Sequence, residues 1–128
     1  MKNYFLPVEL ECPCCKQCLL MEGFLDKLNE LREALGNPMV VNSCCRCVRH
    51  NAAIGGAHKS FHLINAQLVT GLTGACAADI STLMWPDAKR AKFLKLAREM
   101  GWSIGHGASF IHIDRRVDHG HSITEWHY

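Results

Sequence analysis

At 128 residues, 48% hydrophobic and 20% charged, the chain has the composition of one soluble globular domain, which excludes a disordered or fibrous protein. Its 14 basic and 12 acidic side chains leave a formal charge of +2 and are interspersed, so no basic stripe marks a nucleic-acid partner. No apolar run approaches the ~20 residues that cross a bilayer, and the opening MKNYFLPVELE lacks the apolar region of a secretory signal.

Residues 1–20 form a cysteine-rich segment, CPCCKQC, with Cys12, Cys14, Cys15 and Cys18. Next, Phe24, Leu28, Leu31 and Leu35 recur at steps of four, three and four, the apolar stripe of an amphipathic helix that Gly36 and Pro38 stop. PMVVNS reads as a short β-branched strand, and a second cluster, CCRC, follows with Cys44, Cys45 and Cys47 around Arg46. HNAAIGGAHKS reads as a loop tightened by Gly55-Gly56. CAADI is a strand, with Cys76 standing apart from the two clusters. PDAKRAKFLKLAREMG is a second helix with Phe93, Leu96, Ala97 and Met100 on one face, and SFIHID is a further strand. In SFIHID the period of two sends Ile111 and Ile113 to one face and Phe110, His112 and Asp114 to the other. This order predicts a single α+β domain over 1–128, a small antiparallel sheet with helices packed on one side.

Three segments carry histidine and aspartate residues able to converge: SFHLINAQ with His62, GACAADI with Asp79, and SFIHIDRR with His112 and Asp114. Taken singly, each has a plain reading, as a loop histidine, a strand-end cap or a half-buried strand histidine. Together, two imidazoles and a carboxylate suit a catalytic zinc with one position left for water. The cysteines, with no secretory signal in view, favour metal over disulfides, although both stay open. A structural four-thiolate zinc of the ribbon kind would point instead to a nucleic-acid or protein-binding module.

RHNAAIGGAHKSFH, then AADI, then FIHID and a tail with Trp126, resembles the M15 family of zinc D-Ala-D-Ala carboxypeptidases and L-alanyl-D-glutamate endopeptidases, which share the hedgehog-like fold. FLDKLNELREALGNPMVVNS resembles the helix and strand before the family's arginine motif, so the likeness covers nearly the whole chain. It implies Zn2+ held by His62, Asp79 and His112, with Arg46 at the position of the substrate-binding arginine and Ser60 two residues before the first ligand. Two features depart from the family. His62 and Asp79 stand further apart here, so residues within INAQLVTGLTG must loop out. Ser109 occupies the place where many relatives carry an acidic general base. Asp114 is then either the replacement base or a partner that orients a ligating imidazole. His106, in GHG, is a further substrate contact, while His119, His121 and His127 read as solvated.

The expectation that follows is a zinc-dependent peptidase hydrolysing peptidoglycan peptide bonds, as carboxypeptidase or endolysin-type endopeptidase, with Arg46 and Asp114 in catalysis. Its substrate would be a peptidoglycan stem peptide, with no nucleic-acid partner and no membrane span. It would act as a monomer, made in a cytoplasm and released to the wall as a phage or prophage lysin or tail-associated enzyme. The alternative is a zinc-stabilised binding domain of the same fold without catalysis, suggested by Ser109 and the insertion. The cysteine clusters, Cys12, Cys14, Cys15, Cys18, Cys44, Cys45 and Cys47, would tie the N-terminal segment to the Arg46 loop by a second metal or by disulfides.

Overall fold

The computed structural model describes residues 2–65 and 73–128. The chain runs α1 (Pro7–Leu10), α2 (Phe24–Leu35), β1 (Val41–Ser43), α3 (Val48–Ala53), β2 (Ala77–Ser81), α4 (Asp87–Glu99), β3 (Ser103–His106), β4 (Phe110–Asp114), a 3-10 turn (Arg116–His119) and β5 (Glu125–His127). The fold is α+β. Its sheet has the order β1-β2-β4-β3-β5. All neighbours are antiparallel except β3 and β5, so the small antiparallel sheet expected from the sequence carries one parallel edge. The cause is the tail, which crosses after the 3-10 turn and lies along the free edge of β3.

Helix α2 forms where the apolar stripe is regular and ends at Gly36, whose N–H bonds the Arg32 carbonyl at 3.1 Å. Asp26 in its first turn and Arg32 in its last complement the helix dipole. Helix α4 follows Pro86 and carries Asp87 and Arg98 in the same sense. The two helices cover one side of the sheet. Phe24, Leu28, Leu31, Leu35, Phe93 and Ala97 pack in one cluster with Ile80, Ile104, Ile111 and Ile113. Trp102 meets Phe24 edge-on at 5.9 Å. Truncating any one of the buried leucines or isoleucines to alanine would cost about 2–5 kcal/mol.

Two segments read as irregular are ordered elements. HNAA belongs to α3, whose N-cap is Cys47, the sulfur accepting the His50 N–H at 3.3 Å. The residues around GHG form β3, because its backbone is claimed on both sides, by β4 and by β5. His119 is also corrected from solvated to fully buried: it stacks on Phe61 at 6.4 Å, and neither ring nitrogen has a hydrogen-bond partner among the described residues. The expected loop-out falls largely on residues 66–72, outside the described residues. No helix among the described residues is long and apolar enough to cross a membrane.

Candidate metal centre and substrate cleft

The sheet face away from α2 and α4 carries one cross-strand row of chemistry. Pairing sets Ser43 opposite Asp79, Asp79 opposite His112, His112 opposite Gly105, and Gly105 opposite Trp126. Residues in register across a sheet share a face, so this row passes from β1 to β5 without interruption. Gly105 is required by close approach: a Cβ there would lie 2.7 Å from the Trp126 ring and 2.8 Å from Tyr128. Its missing side chain lets the tail aromatics fold over β3 toward His112, whose ring centroid is 5.3 Å from that of Trp126.

His62 joins this row from the loop before β2. The loop is anchored on both sides: the Arg46 N–H bonds the His62 carbonyl at 2.8 Å, the Ile64 N–H bonds the Arg46 carbonyl at 3.0 Å, and the Cys76 N–H bonds the Phe61 carbonyl at 2.8 Å. Ser60 accepts the His62 N–H through its hydroxyl at 3.2 Å. Ser60 therefore shapes the turn that carries His62 as well as lining the cleft.

His62 Nε2, Asp79 Oδ1 and His112 Nδ1 meet at one point, with separations of 3.2, 3.0 and 3.3 Å. The outer nitrogens are committed elsewhere. His62 Nδ1–H donates to the Cys44 carbonyl at 2.8 Å, and His112 Nε2–H donates to Asp114 Oδ2 at 2.8 Å. Each outer bond fixes a tautomer or a ring orientation and turns the other nitrogen's lone pair inward. Three acceptor atoms converging in this way could hold a cation between them. Tetrahedral zinc with bonds of ~2.0–2.1 Å would place its ligand atoms about 3.3 Å apart, which these three already satisfy. The residues present therefore fit a zinc ion, with the fourth side facing the cleft.

The electrostatics agree with that use. Burial lowers the pKa of His62, keeping the imidazole neutral. For Asp79, burial pushes the pKa upward but is outweighed by the neighbouring His112 and His62 side chains, which hold its carboxyl well below the usual range. His112 goes the other way: burial lowers its pKa, yet the bonds to Asp114 and Asp79 win and raise it.

Arg46 lies beside this centre. Its guanidinium donates to Ser43 Oγ at 2.9 Å, to Asn51 Oδ1 at 3.3 Å and to Asp79 Oδ2 at 3.0 Å. Asn51 is in turn held by the Ala57 carbonyl at 2.8 Å. Gly56 explains the glycine pair: a Cβ there would collide with the Asn51 side chain that braces Arg46. Arg46 thus keeps a fixed plane and two further N–H groups.

Asp114 is fully buried and accepts four hydrogen bonds, from His112 Nε2, the Arg116 N–H, Arg116 Nε and Arg116 Nη2. It faces the outer side of the His112 ring and does not line the cleft. His106 is not brought to the site either. It bonds Glu125 at 2.8 Å and stacks on His127 at 4.3 Å, because the period of two puts it, with Ile104, on the face opposite Gly105's row.

The cleft, of about 470 Å³, is floored by His62, Asp79, His112 and Arg46 and walled by Phe61, Phe110, Trp126 and Tyr128, with Lys59 and Arg116 bringing positive charge. Sequence reading missed Phe110, Arg116 and Tyr128 as wall residues. The alternation of FIHID did put Phe110 on the His112 face, and that was the available signal. The cysteines fall into two groups. Cys12, Cys15 and Cys47 converge with Cys14 nearby, and Cys18 lies 4.0 Å from Cys45, beside buried Cys44.

No curated protein matches the sequence. The peptidase M15 family matches it over residues 3–114, a span that holds α1 through β4, the three convergent side chains of His62, Asp79 and His112, and Arg46. On that match the chain belongs to the peptidase M15 family.

Proposed function

We propose that the protein is a zinc-dependent peptidase acting on a stem peptide of the bacterial cell wall, with His62, Asp79 and His112 holding the metal. The observation that carries this reading is the convergence of three acceptor atoms 3.0 to 3.3 Å from one another, at the floor of a cleft, in a chain of a peptidase family. Zinc bound there supplies Lewis acidity toward a carbonyl and lowers the pKa of a water toward ~7.

The chain's own groups divide the remaining work. Arg46, braced on three sides, points its free N–H groups at a substrate carboxylate or at the oxyanion that develops from the scissile carbonyl. Lys59 and Arg116 make the cleft attractive to an anionic peptide, and stem peptides carry free carboxylates. Trp126, Tyr128, Phe110 and Phe61 cover the apolar parts of the substrate and exclude water from the reacting bond. Asp114 acts as a positioning residue for His112. With all its acceptor capacity spent on His112 and Arg116, it has none to offer a water in the cleft. The base role expected for it from sequence passes out of the reading. Asp79 is the one carboxylate lining the cleft among the described residues.

The second reading, a zinc-stabilised binding domain without catalysis, is favoured by that same lack of another cleft carboxylate and by Ser109 in the family's acidic position. One experiment separates them. Purified protein is incubated with bacterial wall fragments, and new amino and carboxyl termini are followed with and without a chelator. Turnover that stops on chelation and returns with zinc supports the peptidase; binding of fragments without any new termini supports the binding domain. Turnover indifferent to chelation overturns the metal-dependent mechanism. The bond released in the products also separates carboxypeptidase from endopeptidase action and tests the lysin role.

A further inference from the structure

We propose that Cys12, Cys15 and Cys47, with Cys14 as the fourth donor, form a second metal site that takes a thiophilic divalent cation such as zinc and locks the N-terminal turn to the segment bearing Arg46. The sulfurs of Cys12, Cys15 and Cys47 all lie within 4.8 Å of one another, although Cys47 stands more than thirty residues along the chain from the other two. Zinc–sulfur bonds of ~2.3 Å in a tetrahedron would set neighbouring sulfurs about 3.8 Å apart. Small side-chain rotations from the observed arrangement close that difference.

The backbone is built around the sulfurs. Cys12 to Gln17 is a closed turn, in which the Lys16 N–H bonds the Cys12 carbonyl at 2.8 Å and the Cys12 N–H bonds the Gln17 carbonyl at 2.8 Å. Lys16 takes a left-handed φ of 62° to make it, a conformation that a non-glycine residue adopts only when its surroundings require it. The turn directs N–H groups at sulfur. Cys47 N–H donates to Cys12 Sγ at 3.3 Å, the N–H groups of Cys14 and Cys15 face the same atom, and His50 N–H donates to Cys47 Sγ at 3.3 Å. Such donors stabilise sulfur carrying negative charge, which is the form that binds metal. Cys14, exposed on the same turn, reaches Cys47, and Arg49 stands close enough to offset the negative charge of a thiolate cluster. Cys12 is buried while Cys14 and Cys15 are exposed, so an ion enters from solvent and finishes against the core. A single disulfide would engage only two of these four sulfurs, whereas one tetrahedral ion engages them all.

The position gives the site its consequence. Cys47 caps α3 and is the next residue after Arg46, and the neighbouring Cys45 N–H bonds the Leu10 carbonyl at 3.0 Å. Metal binding here converts the bound thiols to thiolates, releases their protons to solvent, and clamps the segment that aims Arg46 at Asp79. Nothing in this rests on catalysis.

The test is cobalt(II) loading of the full chain, kept reduced with a phosphine, with bound metal counted and the thiolate-to-cobalt charge-transfer absorption recorded. The same is done for His112→Ala, Cys15→Ser and Cys47→Ser. The expected result is two cobalt ions in the wild type and one in His112→Ala, with the thiolate band intact in both. Cys15→Ser, at an exposed position, should weaken or abolish the band while the His62-Asp79-His112 ion remains. One ion with the band in both wild type and His112→Ala would support the cysteine site and count against the proposed catalytic metal. One ion in the wild type without the band would do the reverse. Absence of the band from folded wild-type protein, or a band unchanged in both cysteine variants, overturns the proposal.

Discussion

On β4, Ile111 and Ile113 turn toward α2 and α4, and His112 and Asp114 turn to the opposite face, where His112 alone of the two lines the cleft; all four are buried. The two faces of one strand are therefore equally dry but held by opposite means. The isoleucines need only apolar neighbours of the right volume, and Ile80, Ile104 and Phe93 supply them. The polar pair needs a partner for every lone pair and proton, and the structure provides them through Asp79, Arg116 and His62. The difference teaches that stability and chemistry are separated by the two-residue period of the sheet, so that each can be damaged with the other largely intact.

The strongest way to expose that separation is to remove a ligand. His112→Ala and Asp79→Ala should lose the cleft metal and all measurable turnover, while the thermal unfolding transition stays cooperative because Ala78, Ile80, Ile111 and Ile113 still fill the core. Metal content and rate measured together decide it, and a variant with stoichiometric cleft metal and near-normal rate would remove that residue from the ligand set. On the opposite face, Ile111→Ala should destabilise by about 2–5 kcal/mol in denaturant titrations while the folded fraction keeps its metal and its rate per molecule. Loss of metal at denaturant-free conditions, where the protein is still folded, would show the two faces to be coupled.

Asp114→Asn sharpens the comparison within the polar face. As a positioning residue, Asp114 predicts ~10- to 100-fold weaker metal affinity, with activity largely restored by excess zinc. A variant that binds metal as tightly as wild type but turns over ~10²- to 10⁴-fold more slowly would make Asp114 a base after all.

The smallest effect concerns His119. Burial lowers its pKa, so the folded state holds it neutral while the unfolded chain takes up a proton near the ordinary value of ~6.5. Its contribution to stability is thus complete above that pH and declines as pH falls through it. His119→Phe, which keeps the stacking on Phe61, should flatten the dependence of unfolding free energy on pH between about 7 and 5. Identical slopes for the two proteins would mean that the buried ring is not what titrates.

Helices α2 and α4 and the facing of β4 were readable because each depends on a short repeat: the four-three-four steps from Phe24 to Leu35, and the alternation in FIHID. Strand β3 was not readable. Ser103–His106 is short and contains glycine, and it is extended because β4 and β5 pair with it on both sides. His106 illustrates the same limit, since nearness in sequence to a glycine turn said nothing of its pairing with Glu125. His119 was misread because polar residues are usually wet, and it is tertiary packing, with Phe61 stacked on the ring, that makes this one dry.

The residue types needed for a metal and the strand face that His112 occupies are local properties, carried by side-chain chemistry and a period of two. That His62, Asp79 and His112 meet is not local. It depends on the register that sets Asp79 opposite His112 and on the backbone bonds that lash the His62 loop to Arg46 and Cys76. The separation of Asp114 from the cleft, a matter of which nitrogen of one imidazole it faces, is likewise a decision of tertiary structure. Hydrogen bonds between distant segments place atoms to within tenths of an ångström, whereas sequence patterning resolves only which side of a strand or helix a residue takes.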